Sequence, residues 1–187
     1  MTELVAIIPA RGGSKSIQNK NIVELGGIPL LAHTINVCKA TGLLPVVSTE
    51  DANIAKIASD FGATVLDRPA HLSSDTASDY GFLKHFFDNY QIKEAYFMRP
   101  TTPLRKPQIV QEVIDFYHSI NIEITGLRTV HESRHSPYKM FKISDDGIAS
   151  GLFEDFNGIK NYTNLPRQTF PRTYEPNGYC DIVLRST

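Results

Sequence analysis

The stretch IIPARGGSKSIQNKN, Ile7–Asn21, leaves an apolar run and turns abruptly to glycine, positive charge and amides. Just before it, Leu4 to Ile8 is continuously apolar and is closed by Pro9. A run without polar alternation reads as a strand covered on both faces. The segment after Pro9 cannot be the interior of a helix, because Gly12 and Gly13 are adjacent and each weakens a helix. A loop after a first buried strand lies at the carboxyl edge of an α/β sheet, where such folds bind ligands. Glycines there expose backbone N–H groups. With Arg11, Lys15 and Lys20 in the same loop, the set suits a polyphosphate better than a neutral ligand. The alternative is a solvated basic loop with no ligand. Neither GxxxxGK[ST] nor GxGxxG occurs, so the phosphate loop of nucleotide hydrolases and the dinucleotide fingerprint are both missing.

Outward from the loop, strands and helices alternate. Pro29 to Ala40 reads as a helix with proline in its first turn. Leu43 to Val47 reads as a second strand. Ser48 to Asp51 supplies polar cap candidates for a helix carrying Ile54, Ile57, Ala58 and Phe61. Gly62 ends it, and Ala63 to Leu66 is a third strand. A helix from about Tyr80 to Tyr90, a strand at Ala95 to Met98, a helix opened by Pro107 and a strand at Glu123 to Val130 come next. This alternation predicts an α/β domain with a mainly parallel sheet flanked by helices. Past Arg134 the pattern changes. Lys139 to Ile143 and Ile148 to Leu152 flank Asp145-Asp146-Gly147, a hairpin turn. Gly178 to Leu184 is the last strand. Residues 131–176 therefore read as a β excursion from a single domain spanning 1–187.

The chain has 187 residues, 41% hydrophobic and 21% charged, with a formal net charge of -1. That balance argues against a nucleic-acid-binding surface. Cys38 and Cys180 are the two cysteines, which is no disulfide framework and no zinc pattern. They read as reduced thiols of a cytoplasmic protein. No apolar run approaches the ~20 residues of a membrane span. His131 and His135 are spaced like a metal pair on a helix, yet Ser136-Pro137 breaks helix there. His33 reads as a packed or bonded side chain, not a catalytic one.

Pro9-Ala-Arg-Gly-Gly-Ser-Lys15 together with Lys20-Asn21 resembles the signature of the acylneuraminate cytidylyltransferases, the CMP-sialic acid synthetases. Further segments match in order: Val47-Ser-Thr49; Arg68-Pro69 with Ser74-Asp-Thr-Ala-Ser78; Arg99-Pro-Thr-Thr-Pro-Leu-Arg105; Arg167-Gln168; and Pro176-Asn-Gly178. The resemblance covers nearly the whole chain. It implies a Rossmann-like nucleotide-diphospho-sugar transferase fold and transfer of CMP from CTP to a nine-carbon 2-keto sugar acid, with release of pyrophosphate. It implies that Ala10, Arg11, Gly12, Gly13, Lys15 and Asn21 bind the nucleotide, with Arg11 and Lys20 acting on the phosphates. By the same matching, Arg68 and the Ala77 backbone read the cytosine. Asp79 departs from the family's serine; it either accepts from the cytosine amino group or caps the following helix. Arg99, Arg167 and Asp181 fall at sugar-site positions. Arg99 replaces a glutamine and Asp181 a tyrosine of some relatives, which leaves the sugar open among sialic, legionaminic and pseudaminic types. The family implies Mg2+ and a homodimer, with residues 131–176 as the dimerisation and sugar-site arm. Its metal-binding DxD pair is expected in a closing segment beyond residue 187. The nearest rival is the same reaction on 3-deoxy-manno-octulosonate; a more distant one is a nucleotide-binding module without catalysis.

Overall fold

The computed structural model describes residues 4–14, 17–74 and 76–186. The chain divides into two compact units, Met1–Thr129 with Gly178–Thr187, and Val130–Asn177. The first unit opens with strand β1 (Val5–Pro9) and a small hairpin, β2 (Glu24–Leu25) and β3 (Ile28–Pro29). Gly26 and Gly27 form its turn at positive φ, the conformation a two-residue hairpin turn demands. Then come α1 (Leu30–Ala40), β4 (Leu44–Thr49), α2 (Ala52–Asp60), β5 (Thr64–Asp67), α3 (Asp79–Asn89), β6 (Glu94–Phe97), α4 (Pro107–Ser119) and β7 (Gly126–Leu127). The second unit holds β8 (Val130–Glu132), β9 (Phe141–Ile143), β10 (Ala149–Gly151) and β11 (Tyr174–Pro176). The chain returns to the first unit as β12 (Asp181–Leu184).

The central sheet has the order β5-β4-β1-β6-β12-β7. Strands β5, β4, β1 and β6 run parallel, and β12 is antiparallel to both its neighbours. The unbroken apolar reading of β1 has a direct cause. Val5 and Ile7 pack with Phe82, Phe86, Phe87 and Phe97 on the α3 face. Ala6 and Ile8 pack with Leu31, Ile35, Tyr96, Val110 and Ile114 on the face of α1 and α4. Each large side chain so buried stabilises the fold by roughly 1.5–3 kcal/mol. Helix α2 begins where the Asp51 carboxylate accepts the N–H groups of Asn53 and Ile54, a regular N-cap. From β1 the chain steps outward through β4 to β5, then crosses to β6 on the other side. The strand order thus reverses beside β1, and a crevice opens at the carboxyl ends of β1 and β6.

Two strands are shorter than the sequence predicts. In place of a strand over Glu123–Val130 there are β7 in the central sheet and β8 in the second unit. The break falls at Thr129, whose N–H donates to Asp181 Oδ1 at 3.1 Å instead of joining a ladder. The predicted Gly178–Leu184 strand begins only at Asp181, because the carbonyls of Gly178 and Tyr179 accept from Arg105.

In the second unit β8 pairs antiparallel with β11, and β9 with β10. The β9–β10 hairpin turns at Gly147, φ 79°. A small aromatic core fills this unit: Tyr138 stacks on Phe170 at 5.1 Å, and Phe156 meets both edge-on. The Lys139 ammonium donates to the carbonyls of Thr163 and Leu165 and ties two loops around that core. Phe141, Ile143 and Ile148 on the hairpin are exposed. No helix among the described residues is long and apolar enough to cross a membrane.

Candidate functional site

A cleft of about 220 Å3 lies at the carboxyl edge of the sheet. It gathers residues from four places in the chain: Arg11 and Ser14 after β1, Lys20 and Asn21 before β2, Arg68 to Asp79 after β5, and Arg99 to Thr101 after β6. Four cations, Arg11, Lys20, Arg68 and Arg99, therefore converge with one buried amide, Asn21.

The opening loop is held by its own amides and by a neighbour. Asn21 Nδ2 donates to the Arg11 carbonyl at 2.9 Å. The N–H of Ala10, itself buried, donates to the Ser48 carbonyl at 3.0 Å and carries the β1–β4 pairing one residue further. Arg11 NH1 donates to the Ser73 carbonyl at 3.3 Å. The Gly12 N–H donates to Glu50 Oε1 at 2.8 Å. A Cβ on Gly12 would lie 2.8 Å from Asp51 Oδ2, so a larger residue there would have to push the Asp51 carboxylate aside. Gly13 has φ 64°, a left-handed conformation that glycine adopts without strain. Lys15 lies outside the described residues.

Arg68 is buried. Its Nε donates to Ser48 Oγ at 3.0 Å and its NH2 to the Ser48 carbonyl at 2.8 Å. Burial lowers its pKa, partly opposed by the Glu50 carboxylate. The guanidinium sits 4.8 Å from the centroid of Phe82, Phe82 lies 5.6 Å from Phe97, and Arg99 sits 4.0 Å from Phe97. Two arginines thus cap the ends of an aromatic pair beneath the cleft, an attraction of ring face for cation. Ala77 lines the cleft with its N–H already donated to the Ser74 carbonyl.

Asp79 neither caps α3 nor stands alone. It is the first residue of the helix, Ser78 is the N-cap, and no side chain caps that end. The Asp79 carboxylate instead pairs with Arg99 NH2 at 2.6 Å. Arg99 NH1 reaches Asp181 at 3.4 Å. Asp181 is almost fully buried; its other oxygen accepts from Thr129, and Arg128 approaches at 3.6 Å. Asp181 therefore lies beneath Arg99 and orients it. Arg167 belongs to the second unit, where it donates to the Arg134 carbonyl at 2.8 Å beside Ser133, Gln168 and Phe170.

Arg105 closes one of the matched segments, and sequence reasoning assigns it no role. It is buried, and all five of its N–H donors are used. Nε donates to the Tyr179 carbonyl, NH1 to Thr34 Oγ1 and the Thr102 carbonyl, and NH2 to the carbonyls of Arg99 and Gly178. It fastens the loop bearing Arg99 to the entry of β12. His33 hydrogen-bonds the Leu25 carbonyl at 2.8 Å, and His131 lies on strand β8. Among the described residues no group of three or more His, Cys, Asp or Glu is placed to hold a metal. Asp79, which lines the cleft, and Asp181, beneath Arg99, are both engaged by arginine. They do not make a magnesium site by themselves.

A roomier groove, about 650 Å3, lies between α3 and strands β12 and β7. Its walls include Leu83, Phe87, Leu127 and Val183, and Lys84 and Arg128 in it are already paired with Asp88 and Asp181. The smaller cleft carries the convergent chemistry.

Comparison with known proteins identifies the family. The cytidylyltransferase family profile matches residues 5–142. The N-acylneuraminate cytidylyltransferase of Streptococcus agalactiae serotype V is 30% identical over 188 residues, which cover 98% of this chain and 44% of the relative. The CMP-N,N'-diacetyllegionaminic acid synthase of Legionella pneumophila is 33% identical over 141 residues, 70% of this chain and 57% of the relative. The chain thus spans about half the length of these curated relatives. A solved CMP:2-keto-3-deoxy-manno-octonic acid synthetase complexed with CTP superimposes with a TM-score of 0.69. It is 17% identical and covers 99% of this chain and 75% of its own; at that identity the likeness shows the fold. A profile match over most of the chain, on a sheet whose crevice gathers the predicted cations, places it in the cytidylyltransferase family.

Proposed function

We propose that this chain carries the transfer centre of an enzyme that moves CMP from CTP to a nine-carbon 2-keto sugar acid of the sialic, legionaminic or pseudaminic type. The observation that supports it is the convergence of Arg11, Lys20, Arg68 and Arg99 in one cleft at the strand-order reversal. The anomeric hydroxyl of the sugar attacks the α-phosphorus in line and loses its proton as the new P–O bond forms. The bond from the α-phosphorus to the bridging oxygen breaks, and pyrophosphate departs. Such a transfer needs placement and charge neutralisation more than covalent catalysis. Arg11 and Lys20 take the phosphate charge. Arg68 faces the base, and Arg99 suits the sugar carboxylate through paired hydrogen bonds. Magnesium would accompany CTP and would supply neutralisation of the phosphate charge beside Arg11 and Lys20. The exposed hairpin residues Phe141, Ile143 and Ile148 support a homodimer. The buried, protonated thiols suit a reducing compartment, the cytoplasm.

The test is pyrophosphate release from CTP against a panel of keto sugar acids that includes 3-deoxy-manno-octulosonate, repeated with UTP, ATP and GTP. Release with CTP and a nine-carbon acid is expected. Arg11→Ala should lower it roughly a hundredfold, about 3 kcal/mol of transition-state stabilisation, with little change in melting temperature. Equal use of purine nucleotides, or full activity in Arg11→Ala, would remove the reading.

A further inference from the structure

The Gly12 amide of the glycine loop is already occupied. The Glu50 carboxylate bridges the two loops that border the cleft, with Oε1 accepting the Gly12 N–H and Oε2 the Ser73 hydroxyl, both at 2.8 Å. Arg11 closes the ring by donating to the Ser73 carbonyl. The neighbouring Asp51 is otherwise committed, because its Oδ1 caps α2. Glu50 itself is exposed and comes directly after β4, so its side chain can swing away without disturbing a packed core. A carboxylate on a backbone N–H in an anion-binding turn occupies the place of a phosphate oxygen. It also repels any phosphate that approaches.

We propose that Glu50 is an exchangeable clasp that sets the loop's preference for a triphosphate. This rests on the cytidylyl-transfer reading and deepens it. Without nucleotide, the carboxylate neutralises part of the cationic loop and ties Gly12 to Ser73. A triphosphate carries enough charge to displace it and take the Gly12 N–H. A nucleoside monophosphate, or a CMP-sugar with its single phosphodiester charge, competes with the carboxylate poorly. As pyrophosphate leaves, the clasp closes again and helps to expel the product. Glu50 is thus a positioning and selectivity residue, distinct from groups that touch the reacting atoms.

Calorimetry with tripolyphosphate, CTP and CMP as probes tests this on the parent chain, Glu50→Gln and Glu50→Ala. Removing one charge from beside a polyanion should tighten tripolyphosphate and CTP by roughly five- to tenfold in both variants at low salt. CMP, which competes with the carboxylate poorly, should tighten by a larger factor, so that the ratio of CTP to CMP affinity falls; a level or rising ratio would overturn the selectivity role. Kinetically, KM for CTP should drop and pyrophosphate should become a stronger product inhibitor. Weaker tripolyphosphate binding in both variants would overturn the proposal and make Glu50 a structural anchor. Absence of tripolyphosphate binding in all three proteins would overturn it as well. Tripolyphosphate has no base, so this readout is separate from a failure of the cytidylyl assignment: that failure would appear as CTP binding no tighter than ATP while the Glu50 effect persisted.

Discussion

Single residues in this fold carry sharply different electrostatic burdens. Arg68 and Arg99 are cations in a partly dry cleft, and each is steadied by an aromatic face as well as by oxygen acceptors. Cys38 and Cys180 show the opposite case. Both are fully buried, and desolvation pushes each thiol up to about 12 from 9.0, with Arg105 pulling the other way. The unfolded chain would ionise these thiols near pH 9, whereas the folded chain keeps them protonated. Between those values the native state binds more protons, so stability falls as pH rises. The thiol contribution is complete below about pH 9 and is lost on approach to 12. Denaturation midpoints measured from about pH 7 to 10.5 should therefore decline above pH 9, and less steeply in Cys38→Ala/Cys180→Ala. Thiol reagents at about pH 8 should react at the rate of unfolding, since the thiolate is the reactive species.

At the scale of elements, the decisive contact is one side chain that joins the loop after β6 to the start of β12. Arg105→Lys keeps the charge but not the planar fork, and at most three donors remain to serve five acceptors. With buried carbonyls left unpaired, a loss of about 3 kcal/mol is expected, read as a lower urea midpoint. Turnover should fall further than stability, because Arg99 is carried by the same loop. A stability change under about 1 kcal/mol would refute the fastening role. That contact also marks where the sequence stops being readable. The helices and the buried strands are legible because Leu31, Ile35, Val110 and Ile114 repeat at a local period, and Pro107 and Asp51 announce their helices. The cations of the cleft are legible because glycine and charge cluster beside β1. Arg105 to Gly178 joins residues 73 apart, and Glu50 to Gly12 joins residues 38 apart; no local pattern encodes either. Asp79 reads in the sequence as a cap or a base contact because its partner, Arg99, lies 20 residues on. The shortened strands have the same cause: Asp181 and Arg105, distant side chains, take the hydrogen bonds that Thr129 and Gly178 would have given a ladder.

The molecule as a whole is a sheet interrupted once. Its first unit breaks off at Thr129 and resumes at Gly178, and those two ends lie together: Thr129 Oγ1 accepts the Cys180 N–H at 3.1 Å, and its own N–H goes to Asp181. The intervening segment therefore starts and finishes at one point on the frame, in the manner of a cassette plugged into a socket. A socket of that kind constrains only the spacing of its two contacts. Lengthening the cassette costs little, since closure entropy grows only with the logarithm of length. Replacing Val130–Asn177 by a short glycine-serine bridge should leave CTP affinity within about threefold, since distant sites couple weakly. By sedimentation the same deletion should turn the proposed dimer into a monomer. A deletion that abolished folding would mean the frame depends on its insert. If the frame survives, such a cassette can be exchanged or lengthened in descent while the sheet around it stands still.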